Sequence, residues 1–593
     1  MLCAPGIRYR FGMRRVLLWV SILGFLVGCR HQPEWRRRAD ALLADSRFPR
    51  PGNDAARCLT DALLAEGLRA AVGSVGFAEV ADFGPLYGAG CSAQPSPACA
   101  SLRGRTGQAH FPQIDLSVIA FNRPGCPQPV VKATVVFDRQ HPTGFVAVHD
   151  PQSLAITNIR FRRWDEARWN GGRWRLQGDG ERAQAEIVAG TEKSWEAPYS
   201  VEDELGTMPL SSDGIAHIDF MSPWPASVFK LMVATYLLRL LDHGQTGDGQ
   251  PLSRSTPIAL PGADLVTSCP PQPQTLSLQQ ALETMLQWSS NCATAGLVRY
   301  LHAHGEIVQS PEVDARGFPR AAATKNGLND LLAGLGLPTL QMNRTIALSG
   351  RWGNGDDNYD RATASVANTH MTSWDTARLL WLVDDLPPAL QPRWEVAPGQ
   401  SLPRSPISDA GKALFRDLLR DVYPAFGLVS NRSCPGPSLP ADAGPPPAPG
   451  IPARLSAKWL DGHRLHSPGG DHPYPRVVDA AHPQTDSSPF AGDLSRCQAQ
   501  AEVEYLSKAG LTNVAGSSVG IVRGLRDRRP GFARHYIVSF FSTLGTRYTD
   551  AERLPTLAQP RDPLSPPPIA TTQTVPQLGA TLDAWLALWL ETP

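Results

Sequence analysis

Lysine is nearly missing from this chain. Lys and Arg together number 56 in 593 residues, but only Lys132, Lys193, Lys230, Lys325, Lys412, Lys458 and Lys508 are lysines, leaving 49 arginines. Genome composition accounts for most of that bias. It still makes each remaining lysine informative, because Lys can lose its proton and act as a base while Arg stays charged. Excess charge of either sign is also absent. Against 55 Asp and Glu the formal net charge is +1, which excludes the basic surplus expected of a nucleic-acid binder. No apolar run has the length of a membrane-spanning helix; the longest, Val16–Val27, is too short for one. No HExxH and no Cys/His spacing of a zinc site occurs, so no cofactor or metal is implied. Internal repeats are lacking as well.

The N-terminus reads as an address, not as fold. Arg8, Arg10, Arg14 and Arg15 precede the Val16–Val27 run, and Leu26-Val27-Gly28-Cys29 follows it. A basic segment before a short apolar one is a secretory signal. The small residue before Cys29 resembles the lipobox of bacterial lipoproteins, which implies cleavage, lipidation of Cys29 and a membrane anchor without a spanning helix. The alternative is a plain signal peptide with an incidental cysteine. The expected location is the periplasmic face of a bacterial membrane, with Arg30 after the cysteine favouring the outer one. Eight cysteines remain beyond Cys3 and Cys29, an even number suited to disulfides in an exported chain. Spacing does not dictate connectivity; Cys91 with Cys99 and Cys434 with Cys497 are the expected pairs.

Along the chain, residues 1–29 are taken as the signal, 30–200 as an N-terminal α+β domain of unknown role, and 201–593 as the main domain. Helical spacing runs through 34–75. Strands are predicted at Ser117–Phe121, Ala133–Phe137 and Gly144–Val148, with a hairpin turn at Asn170-Gly171-Gly172. Helices dominate from about 200 to 425. Residues 431–496 hold 13 prolines in 66 positions, so they are read as an insertion and not as a packed layer. Strands at Ala501–Lys508, Ser517–Arg523 and His535–Leu544, a Pro-rich linker at 555–568 and a helix at Leu578–Leu590 complete the pattern.

One segment combines polarity with burial. Pro225-Ala226-Ser227-Val228-Phe229-Lys230 opens an apolar stretch that ends at Gly244, a natural C-terminal stop. A helix apolar on most sides is a buried one, and a charged Lys at its start is costly without a role or a partner. Ser227 and Lys230, three residues apart, share a face. A nucleophilic Ser needs a nearby base, and a desolvated Lys can serve.

This segment resembles the nucleophile helix of the class A β-lactamase and penicillin-binding-protein superfamily. Two further elements carry the same resemblance. Ser277 and Gln280 form a capping box for a helix that runs into Ser289-Ser290-Asn291, similar to the family's S-D-N element. Lys508-Ala509-Gly510, at the end of a predicted strand, is similar to its K-[TS]-G element, with Ala509 lacking the family hydroxyl. The resemblance covers about 205–430 and 497–593. It implies that Ser227 is the nucleophile, Lys230 its base and Ser289 a proton relay to the leaving group. It implies that Asn291 binds the substrate amide, Lys508 attracts the substrate carboxylate, Gly510 admits the ligand and Leu511 supplies an oxyanion-hole amide beside that of Ser227. Lys325-Asn326-Gly327 also reads K-x-G but precedes a helix and is set aside.

The resemblance also breaks at the deacylating base. Aligned on Arg344, Ile346 stands where class A enzymes carry the Glu that activates the deacylating water, and Ile accepts no proton. Asp356, Asp357 and Asp360 follow in a Gly- and Asn-rich loop. The expected fold is therefore α/β, an α+β sandwich of the β-lactamase/transpeptidase type with an antiparallel sheet flanked by helices. The expected function is a serine acyl-transfer hydrolase that opens β-lactam rings, with slow deacylation. The alternatives are a penicillin-binding DD-peptidase-like protein acting on peptidoglycan stem peptides, and a non-catalytic binding lipoprotein. Partners are a β-lactam or peptidoglycan-peptide substrate and a membrane, without nucleic acid, and the chain is expected as a monomer.

Overall fold

The computed structural model describes residues 41–42, 44–51, 58–74, 113–127, 129–138, 141–149, 156–162, 169–170, 173–174, 205–208, 225–262, 269–308, 325–337, 339–342, 359–360, 365–366, 369–394, 396, 404–422, 427–429, 448–461, 464–465, 495–511, 516–525, 534–542 and 574–591. The signal segment with Cys29, the loop with Arg344, Ile346, Asp356 and Asp357, and the linker at 555–568 lie outside these residues. So do Cys91, Cys99, Cys434 and the side chains of Cys497 and Asp360. Among the described residues no helix is long and apolar enough to cross a membrane.

The main elements are α1 (Asp61–Ser74), β1 (Gln113–Phe121), β2 (Val130–Asp138), β3 (His141–His149), β4 (Ile156–Arg162) and β5 (Leu205–Met208). They continue with α2 (Lys230–His243), α3 (Leu278–Gln287), α4 (Asn291–Ala303), α5 (Gly327–Gly334), α6 (Ser373–Val383) and α7 (Asp409–Arg420). The chain closes with β6 (Val503–Leu511), β7 (Gly516–Gly524), β8 (His535–Ser542) and α8 (Val575–Leu590). The eight strands form one sheet in the order β6-β7-β8-β1-β2-β3-β4-β5, and every neighbouring pair is antiparallel. The hairpin around Asn170-Gly171-Gly172 is present as a separate pair, with Trp169 opposite Trp174.

This topology corrects the expected boundary at 200. Ser117 pairs with Ser539 and Ala120 with Tyr536, so β1 lies at the centre of the sheet, against the last strand. From the stretch assigned to a separate N-terminal domain, strands β1–β4 and helix α1 belong to the main sheet and its core. The physical reason is that β8 is apolar on both faces and needs a ladder partner on each side; an open edge there would expose unpaired backbone polar groups.

β1 shows how the sheet separates two cores. Ile114, Leu116, Val118 and Ala120 pack in one cluster with Leu64, Leu68 and Ala71 of α1 and Leu582, Trp585 and Trp589 of α8. Ile119 and Phe121 pack in the other, with α2, α3, α4 and α6. Period-two alternation thus serves two apolar layers, not one layer and solvent. A Cβ on Gly67 would lie 2.2 Å from the Trp585 ring, so the glycine lets α8 close on α1. On the other face, Asp115 anchors α6: its carboxylate accepts from the Ser373 backbone N–H at 2.9 Å and from the Ser373 hydroxyl at 2.6 Å. Burial raises its pKa to about 6.

Arg534 is fully buried beneath α8, between Asp583, Glu591 and Glu502 at 2.5, 2.8 and 2.7 Å. Two disulfides are described, Cys58–Cys126 and Cys269–Cys292. The first ties the approach to α1 to the turn after β1.

Part of the proline-rich stretch also needs correction. Residues 448–461 are packed: Ile451, Ala453, Leu455 and Trp459 are buried, and Ala453 bridges Val503 at the start of β6. Proline limits backbone donors but does not prevent a segment from burying the apolar residues between its prolines.

Candidate active site

The site begins with a short 3-10 turn, Ala226–Phe229, that leads into α2. Ser227 therefore sits on the turn, and the α-helix proper starts at Lys230. The helix stops at Gly244, which adopts the left-handed conformation with φ 72° that glycine takes without strain. Apolar residues surround the start of α2, so Lys230 is fully buried. Its Nζ donates to Ser227 Oγ at 2.9 Å, to Ser289 Oγ at 3.1 Å and to Asn291 Oδ1 at 2.9 Å. It also reaches the Ser289 carbonyl oxygen at 2.5 Å.

Ser289 and Asn291 come from the junction of α3 and α4. The capping box is present: Ser277 Oγ accepts from the Gln280 N–H and Gln280 Oε1 accepts from the Ser277 N–H. Ser290, standing where the family commonly has Asp, caps α4 by accepting from the Ala293 N–H at 3.1 Å. Just behind Asn291, Cys292 is bonded to Cys269.

Lys508 enters from the sheet. Its Nζ donates to Ser289 Oγ at 2.9 Å and to the Ala509 carbonyl at 2.6 Å. Lys508-Ala509-Gly510 does not end its strand as predicted. The ladder continues, with Gly510 opposite Ser517 and Leu511 opposite Gly516. Gly510 is the point of closest approach. A Cβ there would lie 2.5 Å from the Pro225 carbonyl oxygen and 2.8 Å from the Ser227 nitrogen, so only glycine lets β6 run against the nucleophile turn. Leu511 follows it, half-buried. Ala509 is on the opposite face of the strand from Lys508 and pairs with Ser518.

Two buried ammonium groups so close cannot both be comfortably charged. Burial, and then the charge of Lys508, holds Lys230 well below its ordinary pKa. Burial alone lowers Lys508 to about 7. Among the described residues neither forms an ion pair with a carboxylate. A lysine held that low loses its proton more readily than an ordinary one, and beside a serine hydroxyl it has the arrangement in which an amine can act as a general base on a nucleophile.

Backbone strain falls on the same residues. Ala226 and Ser289, with φ of 47° and 60°, are the non-glycine residues with positive φ among those described. One precedes Ser227 and the other carries the hydroxyl shared by the two lysines. Non-glycine residues in this region cost on the order of 1–3 kcal/mol, a cost that clusters at functional sites.

The structure thus brings Ser227, Lys230, Ser289, Asn291, Lys508 and Gly510 together. The set-aside Lys325 lies elsewhere, on the Gly305 carbonyl at 2.6 Å, and Asn326 caps α5. Sequence reading places Lys458 and Trp459 in the proline-rich insertion and gives them no role, yet they reach Gln287 and Trp288 just before Ser289. Their signal was a Lys-Trp pair inside a stretch dismissed for its prolines. Among the described residues no group of three or more His, Cys, Asp or Glu is placed to hold a metal.

Comparisons with known proteins bear on one part of this assembly. Residues 222–380 match the model of the beta-lactamase enzyme family. No curated protein matches the chain. Among solved structures, a class A beta-lactamase from Bacteroides cellulosilyticus is similar at 14% identity, with 66% of this chain and 90% of that one covered and a TM-score of 0.31. A beta-lactamase from Sphaerobacter thermophilus gives 10%, 87%, 94% and 0.33, and the structure of PBP-A gives 12%, 61%, 80% and 0.28. The stretch that matches the family model includes the segment that delivers Ser227, Lys230, Ser289 and Asn291.

Proposed function

We propose that the protein is a serine acyl-transfer hydrolase that opens β-lactam rings through an acyl-enzyme on Ser227. The observation that carries this reading is the 2.9 Å contact between Ser227 Oγ and a fully buried Lys230 Nζ.

Neutral Lys230 takes the Ser227 proton as Oγ attacks the lactam carbonyl. The carbonyl electron pair moves onto oxygen, and the oxyanion is met by the backbone N–H groups of Ser227 and Leu511. When the tetrahedral intermediate collapses, the C–N bond of the ring breaks and its electrons go to nitrogen. Ser289, whose two lone pairs accept from Lys230 and Lys508, has its own O–H left to give to that nitrogen. Lys230 then returns a proton to Ser289, and the acyl group remains as an ester on Ser227. Lys508 draws in the substrate carboxylate without the hydroxyl that Ala509 lacks, and Asn291 binds the substrate amide. Water must then cleave the ester. With Ile346 aligned where class A enzymes carry their water-activating Glu, this step is slow.

The test is incubation of the purified protein with a penicillin, followed by intact mass over time. An adduct on Ser227 that forms and decays supports the hydrolase. A persistent adduct instead supports a penicillin-binding DD-peptidase-like protein, for which the Ile346 alignment is the favouring observation. If no adduct forms, or if Ser227→Ala still takes one, acyl transfer at Ser227 is rejected.

A further inference from the structure

Ser289 holds its hydroxyl between two lysines from a turn whose backbone is strained, with φ of 60°. Such a residue keeps its conformation only when its surroundings over-determine it. The C-terminal side of the turn is held by the Ser290 cap and by the Cys269–Cys292 disulfide. On the N-terminal side stand Gln287, the last residue of α3, and Trp288. Both are engaged by residues 456–459. The Lys458 ammonium donates to Gln287 Oε1 and lies 5.4 Å from the centroid of the Trp459 ring. The Trp459 ring meets that of Trp288 edge to face, with centroids 4.3 Å apart.

The segment is fastened at its other contacts too. Trp459 Nε1 donates to the Asp421 carbonyl at 2.8 Å, and the Ser456 hydroxyl donates to the Asp421 carboxylate. The Arg454 N–H donates to the Val503 carbonyl at 2.9 Å, and Leu455 is held by Gln498. It therefore runs from the start of β6, the strand that bears Lys508, to the turn that bears Ser289. Those are the two groups joined at 2.9 Å in the site.

We propose that residues 456–459 are a positioning brace, in which Trp459 and Lys458, docked on Trp288 and Gln287, keep the Ser289 hydroxyl between Lys230 and Lys508. The inference rests on the acyl-transfer reading for its kinetic consequence, but its structural consequence can be measured without it. An edge-to-face aromatic pair stabilises beyond the apolar area it buries, so the Trp288–Trp459 contact works against the strain at Ser289. Neither residue needs to touch substrate.

The experiment uses the full chain as wild type, Trp459→Ala, Trp459→Phe and Lys458→Met. Amide hydrogen exchange is followed by mass spectrometry, and penicillin acylation by stopped mixing. In Trp459→Ala, exchange over 286–294 should quicken at least about tenfold, while α8 stays as protected as in wild type. The acylation rate constant should fall by about tenfold to a hundredfold, with the dissociation constant of the non-covalent complex changed less than about threefold. Lys458→Met, altered at an exposed position, should show the same pattern to a smaller degree. Trp459→Phe, which keeps a ring edge for Trp288, should recover most of the rate. Unchanged exchange over 286–294 in Trp459→Ala overturns the brace, and so does quickened exchange with an unchanged acylation constant. If Trp459→Ala loses protection everywhere, Lys458→Met decides by the same two readings. A wild type that takes no adduct rejects the acyl-transfer reading, and the brace is then judged on exchange alone.

Discussion

Lys230 and Lys508 donate to the same oxygen, Ser289 Oγ, one from a helix at 3.1 Å and the other from a strand at 2.9 Å. Both side chains are fully buried. The chain thus commits two of its seven lysines to a single hydroxyl.

Replacing Lys230 by Ala should lower the acylation rate at least about a hundredfold, because general-base assistance contributes about 10²–10⁴. Binding should change much less. The check is the time course of the Ser227 adduct by intact mass. An acylation rate equal to that of wild type would exclude Lys230 as the base.

Lys508 predicts how stability varies with pH. Its pKa is about 7 in the folded state, below the ordinary value of 10.5, because burial penalises the charged form. Between those two values the unfolded chain binds more protons, so folding stability rises as pH rises through that window. Lys230, also lowered, acts in the same direction. Thermal melting at pH 7 and at pH 9.5 should therefore show a gain for wild type and a smaller gain for Lys508→Met. An equal gain in both would rule out a depressed Lys508 pKa.

Arg534 is ion-paired with Glu502, Asp583 and Glu591. Removing one partner from a buried ion cluster costs about 3–5 kcal/mol. Arg534→Met should destabilise by that order in denaturant unfolding. The loss should shrink at acid pH, where the stranded carboxyls take up protons. A loss that does not depend on pH would mean that packing, not charge, sets the role of Arg534.

The sequence made the local devices of this site readable. Ser227 and Lys230 stood out because polarity and burial conflict at the head of an apolar helix. The Ser277–Gln280 box and the Gly244 stop are each written within a few residues, and both are present. Pairing across the chain was not readable. Nothing near Ala120 names Tyr536 as its partner, so β1 was placed in a separate domain. Cys58 with Cys126 and Cys269 with Cys292 were equally hidden, because disulfide partners meet through the fold and not through spacing. The role of Trp459 was not readable because proline content describes how a segment travels, not what it buries. The left-handed backbone at Ser289 carries no glycine to announce it.

The position of β1 has a consequence in time. It is made early in the chain, at 113–121, yet one of its two ladder partners is made at 535–542. Until the later strand arrives, an apolar strand waits with one edge unpaired, the condition that invites wrong pairing between chains. Contacts so distant in sequence also close slowly. The Ser227 turn, packed against β6 through Gly510, cannot make that contact before residues 503–511 exist. Lys508 therefore joins Ser227 and Ser289 only once β6 has been made, and chains stopped before β6 would hold a nucleophile without its surroundings.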